Sequence, residues 1–216
     1  MPKRPAPPPL NKPADLAFAL EQRKQAVVTC GFRSCGVETA DLSWDLVLNA
    51  ENGMSSKLFK TVRGEKGLAY WTGFMRMYGF GAGMSAFAAS TSDDHAVEVR
   101  GMLLDEFRRL ASAGLDRDEF ECALAARKYA FDAAPSGSLA KQAALEHYLT
   151  GDAFQPWKRR EQLDKLTRAE VNRRLKRDLK GVEPSSVIAY ANGVPATDKT
   201  AKKTAKSPAK KTAKKR

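Results

Sequence analysis

Apolar residues are spaced in two ways along this chain, and each spacing predicts a different kind of element. Ala26-Val-Val-Thr-Cys-Gly-Phe32 is a short apolar run rich in β-branched residues and predicts a buried strand that follows Gln25. Thr39 can cap a helix that carries Leu42, Leu46 and Ala50 on one face. Leu58 and Val62, one turn apart, predict a second short helix, with Gly64 and Gly67 marking its end. Two strands then read over residues 68–77 and 83–89, on either side of Tyr78-Gly-Phe-Gly-Ala-Gly83, a cluster suited to a turn between antiparallel strands. That cluster is not a phosphate loop: Gly-Lys-Ser/Thr is missing and a strand follows where a helix should.

The period changes to helical in the second half. Val99, Leu103, Phe107 and Leu110 form one stripe on a helix that starts at Ser92, Asp93 and Asp94 and runs to about Ala113, where Gly114 stops it. Asp116 and Glu119 make a capping-box start for the next helix, with Phe120, Leu124 and Phe131 on one face, and Pro135-Ser-Gly137 breaks it. Further helices read over about 138–150, 157–164 and 167–180, the last opened by a second capping box, Thr167 to Glu170. Ser186-Val-Ile-Ala-Tyr-Ala191 closes the pattern as a strand. Short antiparallel strands with segregated helices predict an α+β fold, an antiparallel sheet covered by helices on one face.

The flanks do not carry this pattern. Residues 2–13 hold six of the eleven prolines, so residues 1–22 read as a disordered, unpacked lead-in. From Lys199 to Arg216 the chain has eight Lys, one Arg, no acid and no branched aliphatic or aromatic residue, so residues 195–216 read as a disordered basic tail after a domain spanning 23–194. The tail carries +9 of the formal +12, which leaves +3 on everything before it. Such Lys/Ala/Pro tails bind polyanions by counterion release, so non-specific contact of residues 199–216 with nucleic acid is one reading and a merely solubilising tail is the other.

Composition narrows the chemistry. The chain has 216 residues, 43% apolar, enough for one domain with a sizeable core and without a membrane-spanning run or a secretory signal. Three sparse cysteines argue against a disulfide framework and fit a cytoplasmic location; Cys30 and Cys35, at C-x4-C spacing, lack the second pair a metal site needs. The two histidines, His95 and His147, stand fifty-two positions apart, so neither supplies the other as a helical zinc ligand.

The densest local signal is Gly53-Met-Ser-Ser-Lys-Leu-Phe-Lys-Thr-Val-Arg63-Gly-Glu-Lys-Gly-Leu-Ala-Tyr70. A short amphipathic helix leads through a Gly-containing turn into a strand, with Arg63 and Tyr70 on either side of the turn. With Gln25 before a strand and Gly-Leu-x-x-x-Glu-Phe at 114–120, it resembles the non-zinc-binding, C-terminal domain of the pitrilysin, insulinase and mitochondrial processing peptidase family of zinc metallopeptidases. The resemblance covers about residues 23 to 193. This chain departs from it at Gly64, where the family has an acid, at Lys57, where Arg is common, and at Ala50-Glu51-Asn52, which replaces a Gly-rich approach.

The resemblance implies the fold already read from the pattern and a place in proteolysis. The family's catalytic half binds zinc through an inverted H-x-x-E-H motif, which this chain lacks, so no metal is expected here and the chain alone is not expected to be an active peptidase. Zinc is expected on a partner subunit, a separate polypeptide with which this chain forms a heterodimer around an extended peptide substrate. On that resemblance, Arg63 and Tyr70 contact substrate and support the transition state from across the cavity. Read without it, Arg63 is a solvated cation at a helix end and Tyr70 a core strand aromatic. A structural or interaction protein on the same fold, without a proteolytic role, is the alternative function, beside a nucleic-acid-associated protein acting through its tail.

Overall fold

The computed structural model describes residues 12–20, 23–36, 42–79, 81–196 and 198. Five strands form one open sheet: β1 Asp15–Ala19, β2 Ala26–Ser34, β3 Ala69–Met77, β4 Gly83–Thr91 and β5 Ser185–Tyr190, in the order β1-β5-β2-β4-β3. The central pairings β5–β2, β2–β4 and β4–β3 are antiparallel, as expected. β1 adds a parallel pair with β5, which makes the sheet mixed. This strand falls inside the lead-in, and the reading of 1–22 as unpacked is corrected for these five residues. Its short Asp15-Leu-Ala-Phe-Ala19 run follows too many prolines to stand out by itself, and it is held by β5, 171 residues later.

The helices are α1 Leu42–Ala50, α2 Lys57–Phe59, α3 Ala96–Ala113, α4 Arg117–Asp132, α5 Ser136–Thr150, α6 Gln155–Lys165 and α7 Arg168–Asp178. Both capping boxes form: Asp116 with Glu119, and Thr167 with Glu170. Thr39 lies outside the described residues. Ser92 makes no cap; Asp93 instead accepts from the backbone N–H groups of Ala191 and Asn192, both at 2.8 Å, and ties the end of β5 to the start of α3. Gly137 lies inside α5 rather than in the break, which Ala133 to Pro135 supply.

Alternation along the strands sorts the side chains. Val28, Cys30, Phe32, Phe74, Phe87 and Ile188 are buried under α1 and α3. Phe32 is the hub, with ring centroids 4.9 Å from Phe107, 6.1 Å from Trp44 and 6.3 Å from Phe74. α7 closes the layer from outside, burying Val171 and Leu175 and accepting the Trp44 indole N–H on Asp178 at 3.0 Å. The other face of the sheet shows Leu16, Val27, Trp71, Met75, Met77 and Met84 as partly exposed side chains. No helix among the described residues is long and apolar enough to cross a membrane.

Candidate functional site

Ser56 opens the motif helix: its Oγ accepts from the Phe59 N–H at 3.2 Å, a standard N-cap. Leu58 and Val62 are buried and seat the segment on the core. After Phe59 the helix widens to π geometry over Lys60–Glu65. Lys66 N–H reaches the Thr61 carbonyl at 3.3 Å, and Leu68 N–H reaches that of Val62 at 2.9 Å. Such π segments are rare and concentrate at functional positions. Gly67, at φ +64°, turns the chain into β3, while Gly64 has no positive φ and stays within the helical segment, which corrects its reading as a terminator.

Arg63 leaves this turn exposed and lies over the Phe59 ring at 5.2 Å. Its Nη1 donates to the backbone carbonyl of Tyr70 at 2.7 Å. Tyr70 is the extra residue of a β-bulge: Ala69 pairs with Thr91 and Trp71 with Ser90, leaving Tyr70 between them. A bulge re-aims its side chain, and Tyr70 is 64% exposed. The fold therefore brings the two predicted residues together, through the Tyr70 carbonyl rather than its ring, and Tyr70 is not a core aromatic.

Two residues that sequence reasoning passed over as mere departures shape the surroundings. Asn52 clasps the outer edge of β3: its Oδ1 accepts from the Phe74 N–H at 2.9 Å and its Nδ2 donates to the Phe74 carbonyl at 2.8 Å. The side-chain amide thus takes the two positions an added strand would use there. Gly73 makes room for it, since a Cβ would stand 3.0 Å from Asn52 Oδ1 and 2.9 Å from the Trp71 ring. Glu51, 1% exposed, turns inward to Arg109, whose Nη2 lies 3.0 Å from Glu51, 2.6 Å from Glu106 and 3.0 Å from Glu119. Burial first, then the Glu106 charge, pushes the Glu51 carboxyl well above the usual carboxylate range. Lys57 joins from the motif helix, 2.7 Å from Asp116 and 3.5 Å from Glu119. The cluster locks the ends of α1 and α3 and the start of α4 against the motif.

These residues do not fit a catalytic zinc. His95 ends the short 3-10 turn before α3 and His147 sits exposed in the last turn of α5, on separate elements. Among the described residues, Glu51, Glu106 and Glu119 form the one group of three close metal-type ligands, and Arg109 occupies its centre. Burial pushes the Cys30 thiol up to about 12, away from the thiolate a metal needs. Cys35 instead receives a hydrogen bond from Arg76 at 3.4 Å. Arg76 is itself buried, between the Trp44 ring at 5.3 Å and the Tyr78 ring at 4.6 Å.

The sequence matches the family model of the peptidase M16 inactive domain over residues 2–127. No curated protein matches it in sequence. In structure it is similar to a conserved protein from Enterococcus faecalis, with 15% identity and a TM-score of 0.70 over 86% of this chain and 44% of that one. It is similar to a peptidase M16 inactive domain from Pseudomonas fluorescens, with 17% identity and a TM-score of 0.68 over 90% of this chain and 48% of that one. The chain thus spans less than half the length of these two. It spans 98% of the inactive peptidase domain of a protein from Bordetella parapertussis assigned as a zinc protease, with 15% identity and a TM-score of 0.65 over 82% of this chain. With the family model matching more than half of its residues, this chain belongs to the peptidase M16 inactive-domain family.

Proposed function

We propose that this chain is the non-catalytic, substrate-contacting half of a two-part zinc peptidase, working with a separate H-x-x-E-H subunit that carries the metal. The observation that supports this reading most is the exposed pair on the β3 bulge, Tyr70 with Arg63 fastened to its carbonyl. Hydrolysis of a peptide bond builds negative charge on the carbonyl oxygen, and a phenol hydroxyl such as that of Tyr70 can donate to it. Arg63 uses one of its five N–H groups on Tyr70, which leaves others for the backbone or a carboxylate of an extended peptide. The zinc on the partner would supply the activated water; the residues of this chain bind and orient. A cytoplasmic location goes with this reading, from the sparse cysteines, and cell fractionation tests it.

The test begins with co-purification from the native host and identification of the companion chain, with metal analysis of each. Zinc is expected on the companion and at well under one equivalent here. In the reassembled complex, Tyr70→Phe keeps the ring and Arg63→Ala removes an exposed cation, so both should fold normally. Each should lower turnover by about ten- to a thousandfold, the range for losing a transition-state or substrate anchor. Lys60→Ala, exposed one turn earlier, is the control. Unchanged turnover in both variants, or a loss no greater than for Lys60→Ala, would leave a structural or interaction protein that keeps only the fold.

A further inference from the structure

The net charge of this protein has a position, and the fold turns part of it into a surface. Residues 1–154 hold 18 Lys and Arg against 19 Asp and Glu; residues 155–216 hold 19 against 6. Ten of those 19 cations precede the tail, on α6, α7 and the turn after them. On α6 they are largely neutralised: Lys158 pairs with Asp152, Arg159 with Glu146, and Arg160 with Asp132 and Asp164. On α7 they are not. Val171, Leu175 and Leu179 face the core, so the opposite side of the helix carries Arg173, Lys176 and Arg177, and Lys180 continues it in the following turn. All four are exposed. Among the described residues, Arg173, Lys176 and Lys180 have no acidic salt-bridge partner, and Arg177 reaches only Asp178, through Nε at 3.2 Å.

We infer that this outer face of α7 is a docking surface for the phosphate backbone of double-stranded nucleic acid. The spacing i, i+3, i+4, i+7 places four cations along roughly 10 Å of helix. A duplex presents one negative charge per about 1.7 Å of its axis, so such a row meets several phosphates at once and gains by releasing their counterions. The face carries no apolar residue to enter a lipid layer, because the apolar side of α7 is already spent on the core. It carries no aromatic residue to stack on unpaired bases, which disfavours single strands. Binding is therefore sequence-independent. α7 packs against α1 and α3, and the inference does not depend on any peptidase role.

The experiment uses the full chain and a 30-base-pair duplex of arbitrary sequence, with binding followed by fluorescence anisotropy across a salt series. The variant replaces Arg173, Lys176, Arg177 and Lys180 by Gln. A control with the same loss of charge replaces Lys60, Lys66, Arg117 and Lys141, all exposed elsewhere. Thermal melting confirms that both fold. At about 0.9 per phosphate neutralised, the α7 variant should flatten the slope of log K against log salt by roughly 3 to 4, with at least a tenfold loss of affinity at low salt. The control should keep nearly the full slope. Equal slopes in the two variants would reduce the effect to net charge and overturn the proposal. So would no duplex binding by the wild type, or tighter binding to phosphatidylserine vesicles than to duplex.

Discussion

Single residues do most of the local work around the motif, and two of them make testable claims. Glu51 is buried beside Glu106, which raises its proton affinity in the folded chain. In the unfolded chain the same carboxyl titrates near its ordinary value of about 4.3. Above that pH the folded state holds the proton longer, so stability falls as pH rises towards the folded value. Glu51→Gln keeps a neutral, hydrogen-bonding group and should remove this slope. Urea midpoints should then favour the variant more at pH 8 than at pH 5; a difference independent of pH would mean that Glu51 is ionised in the fold. Asn52 acts on the backbone instead. Asn52→Ala leaves the Phe74 N–H and carbonyl without their partner and should cost about 1–3 kcal/mol. Amide exchange at Phe74 should quicken in the same variant, and an unchanged rate would show that the clasp does not protect the edge.

At the scale of elements, most starts and stops were legible because they are written in nearest neighbours. The two capping boxes need only residues three apart, and the apolar stripes of α3 and α4 follow from the helical period. The π turn was not legible. Leu58 and Val62 fit an ordinary helix equally well, and the widened ladder shows only in the backbone bonds that Lys66 and Leu68 make back to Thr61 and Val62. The glycines of this turn separate the two descriptions. Gly64 is helical with open space around it, so Gly64→Ala should be neutral or stabilise by up to about 1 kcal/mol. Gly67 also has open space but sits at φ +64°, so Gly67→Ala should destabilise by about 1–2 kcal/mol. Thermal melts of the two single variants decide this, and equal shifts would refute the assignment of the turn to Gly67.

For the whole molecule, the chain is fastened at both ends of its pattern by β5. On one side β5 holds β1 in parallel; on the other, the segment after it returns to the core. There the buried Tyr190 hydroxyl donates to Asp198 at 2.6 Å, and Asp198 is 6% exposed. This corrects the start of the tail, read at residue 195: Asp198 is packed. The two possible cuts therefore differ. Ending the chain after Asp198 should leave the melting temperature nearly unchanged, since residues 199–216 hold no branched aliphatic or aromatic side chain. Ending it after Ala196 strands a buried hydroxyl and should cost about 1–3 kcal/mol. Identical melting of the two truncations would show that the Tyr190–Asp198 bond contributes nothing to stability.

The sequence by itself determined the α+β class, four of the five strands, the helical run and the basic tail's charge, because period, caps and turn residues act over a few neighbours; Arg63 and Tyr70 were singled out only by the family resemblance. Only the tertiary structure decided the features that depend on distant partners. It made Asp15–Ala19 a strand by supplying β5, and it left the Tyr70 side chain exposed at a bulge in β3 whose register is fixed by β4. It buried Arg76 between two rings and joined Glu51, Glu106, Arg109 and Glu119 from two helices and a loop into one charge cluster. It also turned a composition that looked balanced before the tail into one cationic helix face, because burial of Val171, Leu175 and Leu179 fixes which side of α7 meets water.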